Sequence, residues 1–87
     1  MTDTTAYTAT NYHWEFQRNT NGLWVEQIGD PCGADRSDST PEGFARQVIA
    51  ECAPDDGEPW RLAVWDGPGV GRLPAYTITS EQARETP

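Results

Sequence analysis

Residues 39–52, S-T-P-E-G-F-A-R-Q-V-I-A-E-C, decide the fold. Phe44, Val48 and Cys52 recur at i, i+4 and i+8, and Ala45 and Ile49 widen the stripe, which is the period of an amphipathic helix. Two signals mark its start. Ser39 and Glu42 have capping-box spacing, and Thr40 before Pro41 suits an N-cap followed by proline in the first turn. Ala53-Pro54-Asp55-Asp56-Gly57 ends it. The stretch predicts a helix with one apolar side and names no chemistry, so the rest of the chain is read for what covers that side.

Upstream, Tyr12, Trp14 and Phe16 alternate with His13, Glu15 and Gln17, the period of a half-buried strand. Asn19-Thr20-Asn21-Gly22 is a turn, because Asn-Gly tolerates positive φ at both positions. Leu23 to Ile28 returns as a second strand. A four-residue loop pairs Phe16 with Val25, placing Leu23 and Val25 on the face of Trp14, and Trp24, Glu26 and Ile28 with His13 and Glu15. A one-residue slip would exchange those faces. Gly29 to Asp38 reads as an irregular polar connection.

Downstream, Trp60 to Trp65 alternates again. Trp60, Leu62 and Val64 take one face, and Arg61, Ala63 and Trp65 the other. Asp66 to Pro74, rich in glycine and proline, is a loop, and Ala75 to Thr79 a short last strand. The expected fold is α+β with the order ββαββ: an antiparallel sheet with one helix packed on one face. Residues 1–10, threonine-rich, form a tail, 11–80 the domain, and 81–87 a fraying turn.

Composition bounds what such a domain does. A chain of 87 residues buries only about 60% of the surface that it exposes when unfolded. Four tryptophans, three tyrosines and two phenylalanines supply large burial from few residues. The net charge of −8 comes from fourteen acidic residues against six basic ones. It speaks against nucleic acid and anionic membranes as direct partners and for partners with a basic surface. All six basic residues are arginine, which excludes lysine chemistry. With no apolar run of membrane-spanning length and no leader pattern, the expected address is cytoplasmic.

The motifs that resemble catalytic or cofactor sites fall short on spacing. His13, Cys32 and Cys52 are the soft ligands, yet no C-x-x-C or H-x-x-x-H pair occurs, so neither metal nor cofactor is expected. Cys52 belongs to the helix's apolar stripe, and a reducing compartment disfavours a Cys32–Cys52 bridge. Gly67 to Arg72 is glycine-rich but matches no phosphate loop. Asp55-Asp56 sits in a turn, with nothing to separate the two pKa values for acid–base work. Trp14 and Trp60 are expected in the core. Trp24 and Trp65 fall on the face away from the helix, where large aromatics mark a contact surface unless the register makes them core. Ile28 and Arg61 flank them, and Glu15 and Glu26 supply an acidic border.

Two likenesses follow from these residues. Y-H-W-E-F (Tyr12 to Phe16) after a threonine-rich tail resembles short proteins of actinobacteria and their phages, and implies no activity. An aromatic hairpin, then Pro31-Cys32-Gly33, then an acidic run into Thr40, Glu42 and Ala45 at a helix start, resembles the HicB-type antitoxins. There the turn is P-x-x-G-C and the helix opens T-x-E-E-A. Here Cys and Gly are reversed, Gly43 replaces the second Glu, and the connection is longer. No DNA-binding segment follows. This resemblance implies an acidic module that masks a toxin or an enzyme. The function expected is protein binding without catalysis, by an inhibitor or accessory protein of phage or mobile-element origin. The alternatives are a DNA mimic, a HicB-like antitoxin of a basic toxin, a small enzyme or metal-binding domain, and closure of a homodimer through the sheet face. An enzyme would need a concave pocket with convergent polar groups.

Overall fold

The structure, a computed structural model, describes residues 10–27, 29–67 and 72–85. Of the proposed tail over residues 1–10, residues 1–9 lie outside them, as does Ile28, while Thr10 already belongs to the first strand. The fold is α+β. In chain order it comprises β1 (Thr10–Thr20), β2 (Leu23–Glu26), β3 (Cys32–Ser37), α1 (Pro41–Cys52), β4 (Arg61–Trp65), β5 (Tyr76–Thr79) and α2 (Ser80–Glu85). The five strands form one antiparallel sheet.

The long strand β1 organises the sheet. One of its edges pairs with β4 (Phe16 opposite Leu62), and β4 pairs with β5. Its other edge is shared: Gln17 to Thr20 pair with β2, and Thr10 to Glu15 with β3. β3 is a correction, since residues 29–38 read as irregular. C-G-A-D-R-S carries no β-branched or aromatic residue, so nothing local announces a strand. β1 supplies the ladder that makes it one.

The hairpin is tighter than expected. Thr20 pairs with Leu23, which leaves the two-residue loop Asn21-Gly22 with φ of 54° and 88°. Both positive values are what a type I′ turn demands. Arg18, not Phe16, therefore faces Val25. The shift is two residues, an even number, so the expected faces survive. The same parity carries through to β3. Between Glu26, opposite Gln17, and Cys32, opposite Glu15, five residues on one side face Phe16 alone. The four extra residues leave the alternation intact.

Helix α1 starts where the sequence placed it. Thr40 is the N-cap, and its Oγ1 accepts from the Gly43 N–H at 3.1 Å. Glu42 does not complete a capping box but pairs with Arg46. Phe44, Ala45 and Val48 are buried against Tyr12, Phe16, Trp60, Leu62, Val64 and Ile78, with Trp14, Ile49 and Cys52 at the margin. Tyr12 stacks on Phe44 at 4.6 Å, and its hydroxyl donates to the Ser39 carbonyl at 2.6 Å, fixing the helix entry to β1.

Leu23 and Val25, expected beneath the helix, are 68% and 39% exposed. The reason is lateral: α1 lies over β4 and β5 and leaves β2 uncovered. The domain also runs past residue 80. Instead of only fraying, Ser80–Glu85 form α2, whose Ala83 packs on the core. The Ser80 N–H donates to the Trp60 carbonyl at 2.8 Å, and its hydroxyl accepts from the Trp60 N–H at 3.2 Å.

Arg18 ties the loops together at one end. Its guanidinium meets Asp30 at 2.9 Å and Asp56 at 2.7 Å, and donates to the carbonyls of Glu58 and Pro59. Burial works to lower its pKa, but the bonds and charges of Asp30 and Asp56 outweigh this and raise it. The excursion before β3 and the loop before β4 are thereby held to one side chain.

Candidate functional site

With α1 and Ala83 of α2 packed on the even-numbered side of β1, the odd-numbered side is the free face of the sheet. It carries His13, Glu15 and Gln17 from β1, Trp24 and Glu26 from β2, Cys32, Ala34 and Arg36 from β3, and Arg61, Ala63 and Trp65 from β4. Trp24, Arg61, Glu15, Glu26 and Trp65 thus share one surface. Ile28 lies outside the described residues.

A polar chain runs through its middle. Arg61 stands over the Trp24 ring at 5.7 Å and donates twice to the Gln17 Oε1, at 2.9 and 2.6 Å. The Gln17 Nε2 donates in turn to the Glu15 carboxylate at 2.6 Å. A guanidinium only donates and a carboxylate only accepts, so the amide orientation is dictated by its neighbours. Burial lowers the Arg61 pKa, and the Glu15 charge opposes that. Gln17 itself is buried, which simple alternation did not announce.

Trp65 corrects one expectation. It lies on the free face, as read from the alternation, but is only 8% exposed. Its Nε1 donates to the Arg72 carbonyl at 3.0 Å. Trp24 is half-buried and remains the accessible aromatic of the pair.

Beside this chain lies an open groove of about 580 Å³ lined by His13, Trp14, Glu15, Glu26, Cys32, Gly33, Ala34 and Trp65. Its walls are largely apolar and its carboxylates are Glu15 and Glu26. Gly33 permits the close approach of Trp14, because a Cβ there would come within 3.0 Å of the indole ring. The Trp14 Nε1 is buried without an acceptor among the described residues. The sequence did not place Cys32, Gly33 and Ala34 here, since it gave them no strand.

Cys32 and His13 share the groove, but the environment is wrong for a nucleophile. A hydrogen bond to Glu26, then burial, then the charges of Glu26 and Glu15 raise the Cys32 pKa. Reactive cysteines sit in electropositive surroundings that lower it. Among the described residues no three of His, Cys, Asp or Glu are grouped to hold a metal ion, and no helix is long and apolar enough to cross a membrane. Comparison of the chain with protein-family models, with curated proteins and with solved structures gives no match.

Proposed function

We propose that this chain is a non-catalytic, acidic protein-binding module, an inhibitor or accessory protein, whose working surface is the free face of the sheet. The observation that carries this reading is the composition of that face. Half-buried Trp24 lies under Arg61, and Glu15 and Glu26 stand beside a groove with apolar walls. Aromatic and arginine anchors inside a charged border are the make-up of an interface. The net charge of −8 steers towards a basic partner.

A DNA mimic fits this face less well, because Glu15 and Glu26 are the carboxylates among its described strand residues. A mimic needs carboxylates strung along the surface. An antitoxin of the HicB type is the second reading. It is supported by the chain order, in which the hairpin and the Pro31-Cys32-Gly33 segment precede a helix capped by Thr40.

The test is capture of partners by the tagged chain, with Trp24→Ala as the paired control. Trp24→Ala is expected to keep the fold and to weaken association by about 2 kcal/mol or more. A partner held equally by both forms would move the interface away from this face.

A further inference from the structure

Among the described residues, no strand pairs with the outer edge of β3. That edge is six residues long, and three of them, Cys32, Gly33 and Ala34, line the groove. A strand added there extends the free face, and every second side chain of the newcomer stands beside Cys32 and Ala34. The groove offers the carboxylates of Glu15 and Glu26 to whatever arrives. Arg36 lies on the same face of β3 and is exposed. The edge therefore holds both the acidic groove and the cation that suits it.

We propose that β3 is a self-association edge: two copies pair antiparallel about Ala34, and Arg36 of each is seated over the Glu15–Glu26 groove of the other. Three physical requirements select this register. Backbone groups that point outwards alternate along an edge strand, and an antiparallel pair matches outward residues with outward residues. In a symmetric pair, each residue therefore faces one of its own parity. Centring on Gly33 leaves only Cys32 to Ala34 in the ladder. Centring on Asp35 sets that carboxylate against its own copy, and like charges directly opposite are destabilising.

Centring on Ala34 pairs Cys32 with Arg36 twice over and brings the small Ala34 side chains together at the axis. Arg36 then starts about 10 Å, two strand spacings, from β1. Its length carries the guanidinium across Cys32 towards Glu15 and Glu26. The arginine fork suits carboxylate acceptors, and the apolar groove shields the contact from water. A charge of −8 on each copy opposes association at long range, so these pairs decide whether the edges meet. The interface leaves the Trp24–Arg61 end of the face free and shares only the Glu15–Glu26 groove with the proposed partner surface. Its failure would leave the partner-binding reading standing, since that reading is tested through Trp24.

Sedimentation equilibrium up to millimolar concentration tests the state, and a cross-link tests the register. The parent is expected to form a dimer. Arg36→Glu should weaken it roughly tenfold or more, and adding Glu26→Arg to that variant should restore it. In a Cys32→Ser background, Ala34→Cys should form an intermolecular disulfide under mild oxidation, while Asp35→Cys should not. Circular dichroism of each variant separates loss of pairing from loss of fold. A parent that stays monomeric, a dimer indifferent to Arg36→Glu in a folded variant, or cross-linking through Asp35→Cys instead of Ala34→Cys would each overturn the proposal.

Discussion

On the helix side of the sheet, Phe16, Leu62 and Val64 are fully buried in one apolar cluster with Tyr12, Phe44 and Trp60. On the other side of the same strands, Gln17, Arg61 and Glu15 are joined by hydrogen bonds beside an open groove. The first face is held by area removed from water, about 25 cal/mol per Å². The second is held by direction, since the guanidinium donates to the amide oxygen and the amide nitrogen donates to the carboxylate. A small domain has little apolar surface to spare. Trp24 stays outside that core, half-buried under Arg61.

The largest expected effect breaks the first face. Val48→Asp places an unpaired charge in the cluster, at a cost above what a domain of this size can withstand. Far-UV circular dichroism should show no folded baseline at room temperature. A variant that melts like the parent would mean that α1 does not cover the sheet through Val48.

Arg18→Ala removes the clasp that joins the excursion before β3 to the loop before β4, and leaves Asp30, 13% exposed, without its cation. The expected loss is about 2 kcal/mol, between the value of an exposed pair and that of a buried one. Urea unfolding measures it. A midpoint unchanged within error would show that the four acceptors around Arg18 do not hold the loops.

Leu23→Ser should change stability by less than about 0.5 kcal/mol, because Leu23 projects from the part of the helix-side face that α1 leaves bare. Here the two faces cease to differ, and a large loss would show that β2 is covered after all.

These cases also show what was legible in the chain. Alternation placed Phe16, Leu62 and Val64 inside and Trp24 with Arg61 outside, because side-chain period is a local property. It survived a misjudged turn because the hairpin shift and the excursion are both even-numbered. Capping was equally local, so Thr40 was found. β3 was not, because C-G-A-D-R-S becomes a strand only through the ladder that β1 offers. Its absence hid the groove, since Cys32, Gly33 and Ala34 had no face to belong to. The exposure of Leu23 and the burial of Trp65 depend on where α1 lies and on where Arg72 returns. Neither is written within a few residues of the side chain concerned.

The smallest effect leaves stability almost untouched and reads the electrostatics of the free face directly. The Cys32 thiol has its pKa raised first by the hydrogen bond to Glu26, then by burial, then by the charges of Glu26 and Glu15. A folded value above the unfolded one means that the native state favours the protonated thiol. The resulting stability is fully present below the ordinary thiol pKa and is lost as pH rises through the raised one. In a Cys52→Ser background, Cys32 should therefore alkylate with iodoacetamide more slowly than a model thiol at mildly alkaline pH, with its inflection displaced upward. Glu26→Gln removes the hydrogen bond to the carboxylate, the first of the causes, together with its charge, and should move the inflection downward. Glu15→Gln removes only the last and smallest of the causes and should move it less. Each unit of displacement changes the thiolate fraction about tenfold, so the pair of variants is readable in rate alone. Equal profiles for parent and Glu26→Gln would mean that Glu26 does not reach the thiol, and that the free face lacks the electrostatic order that sets it apart from the helix side.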